Sequence, residues 1–386
     1  MQKKVIALAV AGLVSGAAFA QSNVTIYGVA DAGYVYGSGE RAGAVNKNAN
    51  FSGIQSGLLA GSRIGFRGEE GLGNGLKAVF TLEYNIDIDA NQGIGTNGAT
   101  GLNARQQHIG LSHNKLGTVA LGRQYAPAFY ALGRNDPFMS STGIGSLARL
   151  SLVGNNTISG TNGARWDNAV TYTSPTWSGF SVRAAYSFAE NGQQTTTAGD
   201  GVSRGDNGKY GIGGNYANGP LNLDVVYQTR QDANALAVAG PTSFSAIGGT
   251  NFAKQDDINE WYVGGSYDFK VVKLFASYQD MNDKNGTSAQ EASNDIWQVG
   301  ATMPVFGNGK IHAGYSRLEW DRTGNDRTIK AWNLMYTHAL SKRTTLYTGV
   351  TRFDNGDGAL AAASNSTVGA AGEKNTTYAA GINHSF

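Results

Sequence analysis

The sequence predicts an all-β fold: a transmembrane antiparallel β-barrel of sixteen strands, with long loops at one end and short turns at the other. Three observations carry this. Alternation of apolar and polar residues at period two recurs along the chain, while helical spacing is almost absent. The alternating segments reach the roughly 9–11 residues that a tilted strand needs to cross a bilayer, longer than the usual 5–6 of a soluble sheet. The connections between them alternate in length.

The clearest strand is LKAVFTLEYNIDID, Leu76 to Asp89. Leu76, Ala78, Phe80, Leu82, Tyr84, Ile86 and Ile88 make one apolar face, and Lys77, Thr81, Glu83, Asn85, Asp87 and Asp89 lie on the other. VTIYGVADAGYVY (Val24–Tyr36) sets Val24, Ile26, Tyr34 and Tyr36 opposite Asp31. SRIGFRGE sets Ile64 and Phe66 opposite Arg63 and Arg67, and FSVRAAYSF sets Phe180, Val182 and Tyr186 opposite Arg183. Further strands are expected near 104–113, 117–125, 165–173, 207–217, 221–230, 258–268, 271–281, 294–304, 309–319, 327–338, 344–353 and 376–386. Short turns fall at 71–75, 114–117, 218–220, 306–309 and 340–343. Loops rich in Gly, Asn, Ser and Thr fall at 37–58, 90–103, 126–164, 189–206, 231–257, 282–293 and 354–375. With both ends of the chain on one side, this arrangement closes a barrel, which removes the sheet edges that lipid does not tolerate.

Residues 1–20 read as a cleaved signal peptide: Lys3 and Lys4, a short apolar run, then Ala18-Phe19-Ala20 before Gln21. Residues 21–386 then form a single barrel domain. Without Lys3 and Lys4 the basic side chains fall from 30 to 28, equal to the acidic ones, so net charge points to no nucleic-acid partner. The absence of cysteine excludes disulfides and thiolate metal sites. The five histidines are scattered, and no Ser-His-acid set or metal-ligand spacing is visible. No catalytic residue, metal or cofactor is therefore expected. GLGNG, at 71–75, is a tight turn between strands; a phosphate-binding loop would open a helix.

The loop at 126–164 differs from the rest. It carries Phe129, Tyr130, Leu132, Phe138, Met139, Ile144, Leu147 and Leu150 beside Arg134, Asp136 and Arg149. So many apolar residues imply a segment packed on protein.

In order, VTIYGVADAGY, RGEEGLGNGLKAVFTLE, GTVALGRQYAP, RWDNAVTYTSP and the final GINHSF resemble the trimeric, sixteen-stranded general porins of the Gram-negative outer membrane, as found in β-proteobacteria. The resemblance implies a water-filled channel for passive diffusion of small hydrophilic solutes and ions. It implies a homotrimer in contact with outer-membrane lipid and lipopolysaccharide, and 126–164 folded into the bore as a constriction. It further implies an acidic loop residue, here Asp136, facing basic wall residues. The wall candidates are Arg63, Arg67, Lys77, Arg105, Arg165 and Arg183. Alternation turns Arg63, Arg67, Lys77 and Arg183 inward, whereas Arg105 shares parity with Ile109 and Leu111 and needs a local bulge, as does Arg123. More basic than acidic groups at the narrowest point predicts weak anion preference. A substrate-specific channel and a surface adhesin on the same barrel are the alternatives.

The sequence ends on a strand pattern, with Tyr378, Ala380, Ile382, His384 and Phe386 on one face. This strand is expected to pair with Val24–Tyr36, its apolar face toward lipid. The resemblance implies that Phe386, with Tyr378, is read by the barrel-assembly machinery. Asn383 stands on the lumen face where the resemblance leads one to expect a basic residue.

Overall fold

A computed structural model describes residues 23–40, 48–90, 103–188, 208–231, 257–283, 293–321, 327–357, 361 and 369–386. The segment 1–20 and most of the long loops lie outside the described residues. The strands are β1 (Asn23–Glu40), β2 (Asn48–Ser56), β3 (Arg63–Gly73), β4 (Leu76–Asn85), β5 (Ala104–His113) and β6 (Gly117–Tyr125), then β7 (Arg165–Thr173), β8 (Phe180–Ser187), β9 (Lys209–Asn218), β10 (Leu221–Arg230), β11 (Ile258–Asp268) and β12 (Lys273–Asn282). They continue with β13 (Asn294–Val305), β14 (Gly309–Trp320), β15 (Thr328–Ala339), β16 (Thr344–Asn355) and β17 (Lys374–Ser385). Between β6 and β7 lie α1 (Pro127–Arg134) and α2 (Leu147–Val153).

These strands form one closed antiparallel barrel of sixteen staves. The count follows from β1, whose outer half pairs with β2 (Glu40 opposite Asn48) and whose inner half pairs with β3 (Val29 opposite Arg63). β2 and β3 are thus two pieces of one stave, broken at 57–62. The expected loop at 37–58 is corrected accordingly: β1 runs on to Glu40, and 48–56 is strand. Its Ser- and Asn-rich composition hides the alternation of exposed Ile54 with buried Gln55. β4 also stops at Asn85, short of the alternation through Asp89, with one last bond in the same register from Ile86 N–H to the Ser62 carbonyl at 3.0 Å.

The break at 57–62 is held from inside. The carboxylate of Asp31, fully buried, accepts hydrogen bonds from the N–H groups of Leu59 and Ala60. It also accepts from Tyr347 Oη at 2.9 Å and from Asn383 Nδ2 at 2.8 Å. Asn383 thereby ties β17 to β1 across the seam.

Outward faces are apolar, as the alternation requires. On β11, Trp261, Val263 and Tyr267 face out while Glu260 and Tyr262 face in. Aromatic rings cluster near the loop end: Tyr210, Tyr227 and Trp261 cross three adjacent strands, with successive ring centroids 6.2 and 4.7 Å apart. Trp297, Tyr315 and Trp332 do the same at 5.1 and 4.3 Å. Phe180 with Tyr216 and Tyr267 with Phe269 mark the turn end. Two aromatic girdles about an apolar band are what a bilayer selects, because amphipathic rings settle at its interfaces.

β17 closes the barrel against β1, Tyr36 opposite Tyr378 and Val29 opposite Ser385. Phe386 continues this pairing: its N–H and C=O exchange hydrogen bonds with Gly28, both 3.1 Å. Its ring lies over Gly28, where an added Cβ would stand 2.3 Å from the ring. Gly28→Val is therefore expected to evict the ring and weaken the seam by roughly 1–3 kcal/mol. Gel mobility of the folded barrel against temperature measures it, with Gly53→Ala as control, since a Cβ there meets only the Phe51 ring at 3.4 Å. Equal melting of the two variants would count against the seam.

Candidate functional site

The segment between β6 and β7 lies inside the barrel. Pro127, at the start of α1, supplies a residue without N–H where a helix needs none. Ala128 N–H then bonds to Gln228 Oε1 of β10 at 3.0 Å. The chain crosses toward Leu58, whose carbonyl accepts from Ser141 Oγ at 2.6 Å and from Gly143 N–H at 3.2 Å. At this far point Ile144 offers its carbonyl to Asn333 of β15 and Thr351 of β16. The return leg bonds Ser146 to Ser316 at 2.8 Å and Ser151 to Gln279 at 3.2 Å. It ends at Thr157, which donates from backbone and hydroxyl to Glu260, itself paired with Arg230.

Apolar packing fixes the same path. Ala128, Ala131, Leu132, Leu147, Leu150 and Ile158 meet Val226, Tyr262, Ile296, Leu318, Ile329 and Phe353 of the wall. Phe138 and Ile144 join Leu58, Met335 and Tyr347 in a second cluster. The segment is therefore backed mainly by the lumen face of β10–β16, and its other side faces β3–β8, which α1 touches through Phe129 on Tyr125 and Tyr130 on Arg183.

That opposite wall is rich in guanidinium groups. Glu83 of β4 is the hub. It accepts from Arg105 Nε at 2.8 Å, pairs with Arg63 Nε at 3.7 Å and accepts from Tyr27 Oη at 3.1 Å. Arg105 also donates to Tyr125 Oη at 2.9 Å. The Tyr125 ring stacks on Phe129 of α1, centroids 3.6 Å apart, and Arg165 lies 5.6 Å from its centroid. Arg183 lies 3.8 Å from the centroid of Tyr130. Arg123 is paired with Asp167, and Arg134 with Asp224.

The wall candidates divide by position. Arg63, Arg105 and Arg165 converge at the loop end of β3, β5 and β7, close to Tyr125 and Glu83. Arg105 points inward through a bulge where β4 and β5 change register between Glu83 and Tyr84. The matching irregularity in β6 falls between Gly122 and Gln124, at Arg123. Arg183 faces the lumen nearer the turn end. Arg67 stands over Tyr27, at 5.2 Å, also below the others.

Two candidates sit elsewhere than expected. Lys77 is the second residue of β4, just past the 71–75 turn, and pairs with Glu69 at 2.8 Å, both half-exposed, so it belongs to the turn rim. Asp136, expected to face the wall arginines, is 2% exposed inside the folded segment. Its carboxylate accepts from the N–H groups of Phe138 and Ser140 and from Gln298, and folds the tight turn at Met139–Ser140, both at positive φ. Burial pushes its carboxyl above the ordinary aspartate value, against the pull of those hydrogen bonds. Sequence reasoning passed over Tyr125, Glu83 and Asp224 as site residues. Glu83 was visible as an acid on the inward face of β4; the roles of Tyr125 and Asp224 come from contacts distant in sequence.

A closed barrel with an apolar belt outside, and a lumen part-filled by a segment that faces arginines, defines an outer-membrane diffusion channel. Residues 7–358 match the family described as Gram-negative porin. The chain is 34% identical to outer membrane porin protein 32 of Delftia acidovorans, covering all of both chains. It is 32% identical to an outer membrane porin protein of Bordetella pertussis, over 90% of this chain and 93% of that one. Among solved structures it is similar to an anion-selective porin from Comamonas acidovorans, with TM-score 0.74 and 28% identity over 95% of this chain and 100% of that one. This chain belongs to the Gram-negative porin family. It is an outer-membrane channel for passive diffusion, not an enzyme.

Proposed function

We propose that residues 126–164 set the narrowest cross-section of the channel and that the guanidinium groups opposite give it a preference for small hydrophilic anions. One observation carries this reading. Arg63, Arg105, Arg165 and Arg183 line the facing wall, Glu83 is the carboxylate among them, and Asp136 is withdrawn into the loop. A narrow pore with low-dielectric walls focuses such an imbalance onto passing ions. The anion-selective porin from Comamonas acidovorans is consistent with it. Reversal potentials of the reconstituted channel across a potassium chloride gradient are expected to carry the sign of chloride permeation. A potential of cation sign would reject the proposal.

Three partners belong to the same reading. The structural relatives include a trimer form of OmpT from Vibrio cholerae, and this channel is proposed to act as a homotrimer, which light scattering in detergent tests. The aromatic girdles favour contact with outer-membrane lipid and lipopolysaccharide. The exposed ring of Phe386, with Tyr378 on the same face, is available to the barrel-assembly machinery.

A further inference from the structure

We infer that the outward face of β14–β17, at its loop end, is a docking site for the phosphorylated sugar headgroup of lipopolysaccharide. This deepens, and rests on, the reading that the aromatic girdles contact outer-membrane lipid.

Four basic side chains face out there, one on each of four consecutive strands: Arg317 of β14, Lys330 of β15, Arg352 of β16 and Lys374 of β17. Burial fixes the face. Lys330 is exposed between buried Ile329 and Ala331, and Arg352 is exposed between buried Thr351 and Phe353. On β8–β13, by contrast, the basic strand residues Arg183, Lys209, Arg230 and Lys273 all have the parity of the lumen face. Register fixes the level. Arg317 is directly opposite Lys330, Lys330 opposite Asp354, and Asp354 opposite Lys374. Three strand spacings of about 4.8 Å make this row roughly 14 Å wide. Trp332, of the loop-end girdle, is opposite Tyr315 and Arg352 and two residues from Lys330. The row therefore stands about 7 Å beyond the girdle, on the headgroup side. Arg352 starts at the level of the girdle, and its long stem can carry its charge up to the row.

The charge of the patch calls for an anion. Glu319 pairs with Arg317 at 2.7 Å, and Asp354 is shared between Arg352 at 3.3 Å and Lys374 at 3.9 Å. Lys330 stands opposite Asp354 yet forms no ion pair among the described residues. Basic groups are thus in excess, and the pairs they do form are exposed and weak. Arg317 and Lys330 set like charges directly across a ladder, which costs stability unless an anion lies between them. A phosphate relieves this, because its oxygens accept from a guanidinium fork and from an ammonium together. The row is long enough for two linked sugars with a phosphate at each end. The acyl chains of such a lipid would run down over Trp332 and Leu334, both exposed. Past Glu319 the sign reverses: Asp280 and Asp295 face each other on β12 and β13, which confines the anion to β14–β17.

The test titrates lipid A carrying both phosphates onto the full channel, purified free of lipopolysaccharide in detergent, and counts bound lipid by native mass spectrometry. Binding is expected to saturate, and dephosphorylated lipid A is expected to bind at least about tenfold more weakly, the loss of more than one charge-assisted contact. Lys330→Gln and Arg352→Gln should each weaken binding of the phosphorylated form by about fivefold. Lys342→Gln, in the turn between β15 and β16, should change it by less than about twofold. Heat-dependent gel mobility confirms that each variant is a folded barrel. Equal binding of the dephosphorylated lipid, or equal weakening by all three substitutions, overturns the site. Phosphatidylglycerol binding as tightly as lipid A would overturn the choice of occupant. Loss of oligomer mass in the Lys330→Gln, Arg352→Gln double variant, with lipid affinity unchanged, would give the patch to a second copy of the chain instead. Quenching of tryptophan fluorescence by brominated phospholipid reports separately on the girdle. No quenching beside phosphate-dependent binding would sink the girdle reading and leave the site standing; quenching beside phosphate-independent binding would do the reverse.

Discussion

Replacing Arg63, Arg105 and Arg165 together by glutamine is expected to turn an anion-preferring channel into a cation-preferring one. At a distance of about 8 Å and a water-like dielectric of about 80, one guanidinium is worth roughly 0.5 kcal/mol to a passing monovalent ion. Three charges then amount to about 1.5 kcal/mol, near a tenfold change in the permeability ratio. Glu83 remains at the loop end without its partners Arg63 and Arg105, and supplies the opposite sign. The effect shrinks as salt rises, since screening acts over about 10 Å at 0.1 M. Reversal potentials at two ionic strengths measure it. Glu83→Gln, which removes the acid and keeps the arginines, should move the potential the other way. If both variants shift in the same direction, the field of this wall does not control selectivity.

Phe138→Ala is expected to loosen the inward segment while leaving the barrel intact. The Phe138 side chain is fully buried and packs where an added Cβ on Gly314 would stand 2.7 Å from its ring. Emptying such a site typically costs 3–5 kcal/mol. No strand ladder passes through it, so the loss falls on the attachment of the segment: the contacts of Ser141, Gly143 and Ile144 with Leu58, Asn333 and Thr351. Single channels should become noisier and conduct more, and the folded barrel should melt within a few degrees of wild type. Because the chain has no cysteine, a rescue can be built cleanly. Ser146 Oγ and Ser316 Oγ are 2.8 Å apart, and cysteines at both positions would tether segment to wall. Oxidation should quiet the Phe138→Ala channel and reduction should restore the noise. Quiet currents from the reduced variant would show that the segment is held by something else.

Most staves were legible because a strand in a barrel has only two faces and a bilayer enforces both. Leu76–Asn85 and Ile258–Asp268 announce themselves by parity alone. The second stave was not legible, because Asn48–Ser56 owes its strand to pairing with β1 rather than to its own apolar content. Parity likewise misplaced nothing at Arg63 or Arg183, and correctly demanded a bulge at Arg105. It could not separate Lys77 from them, since parity fixes a face but not a height along the barrel. Asp136 failed for another reason: a loop acid can face solvent or cap its own turn, and only the fold decides. Tyr125 carries contacts to Arg105, Phe129 and Arg165 that come from three separate parts of the chain.

The inward segment divides the inner wall into a half that holds it and a half that it faces. Residues that anchor it, such as Tyr262, Glu260 and Asn333, stand on β11 and β15; the arginines proposed to bias passing ions, such as Arg63 and Arg165, stand on β3 and β7. On the proposed reading, most of the structural constraint and the charge bias at the loop end fall on different strands, with Tyr125 and Arg183 shared between the two through Phe129 and Tyr130. Substitutions in one half can accumulate under selection for a new diet of solutes with little penalty in the other, so one barrel can diversify its permeability while its architecture stays fixed.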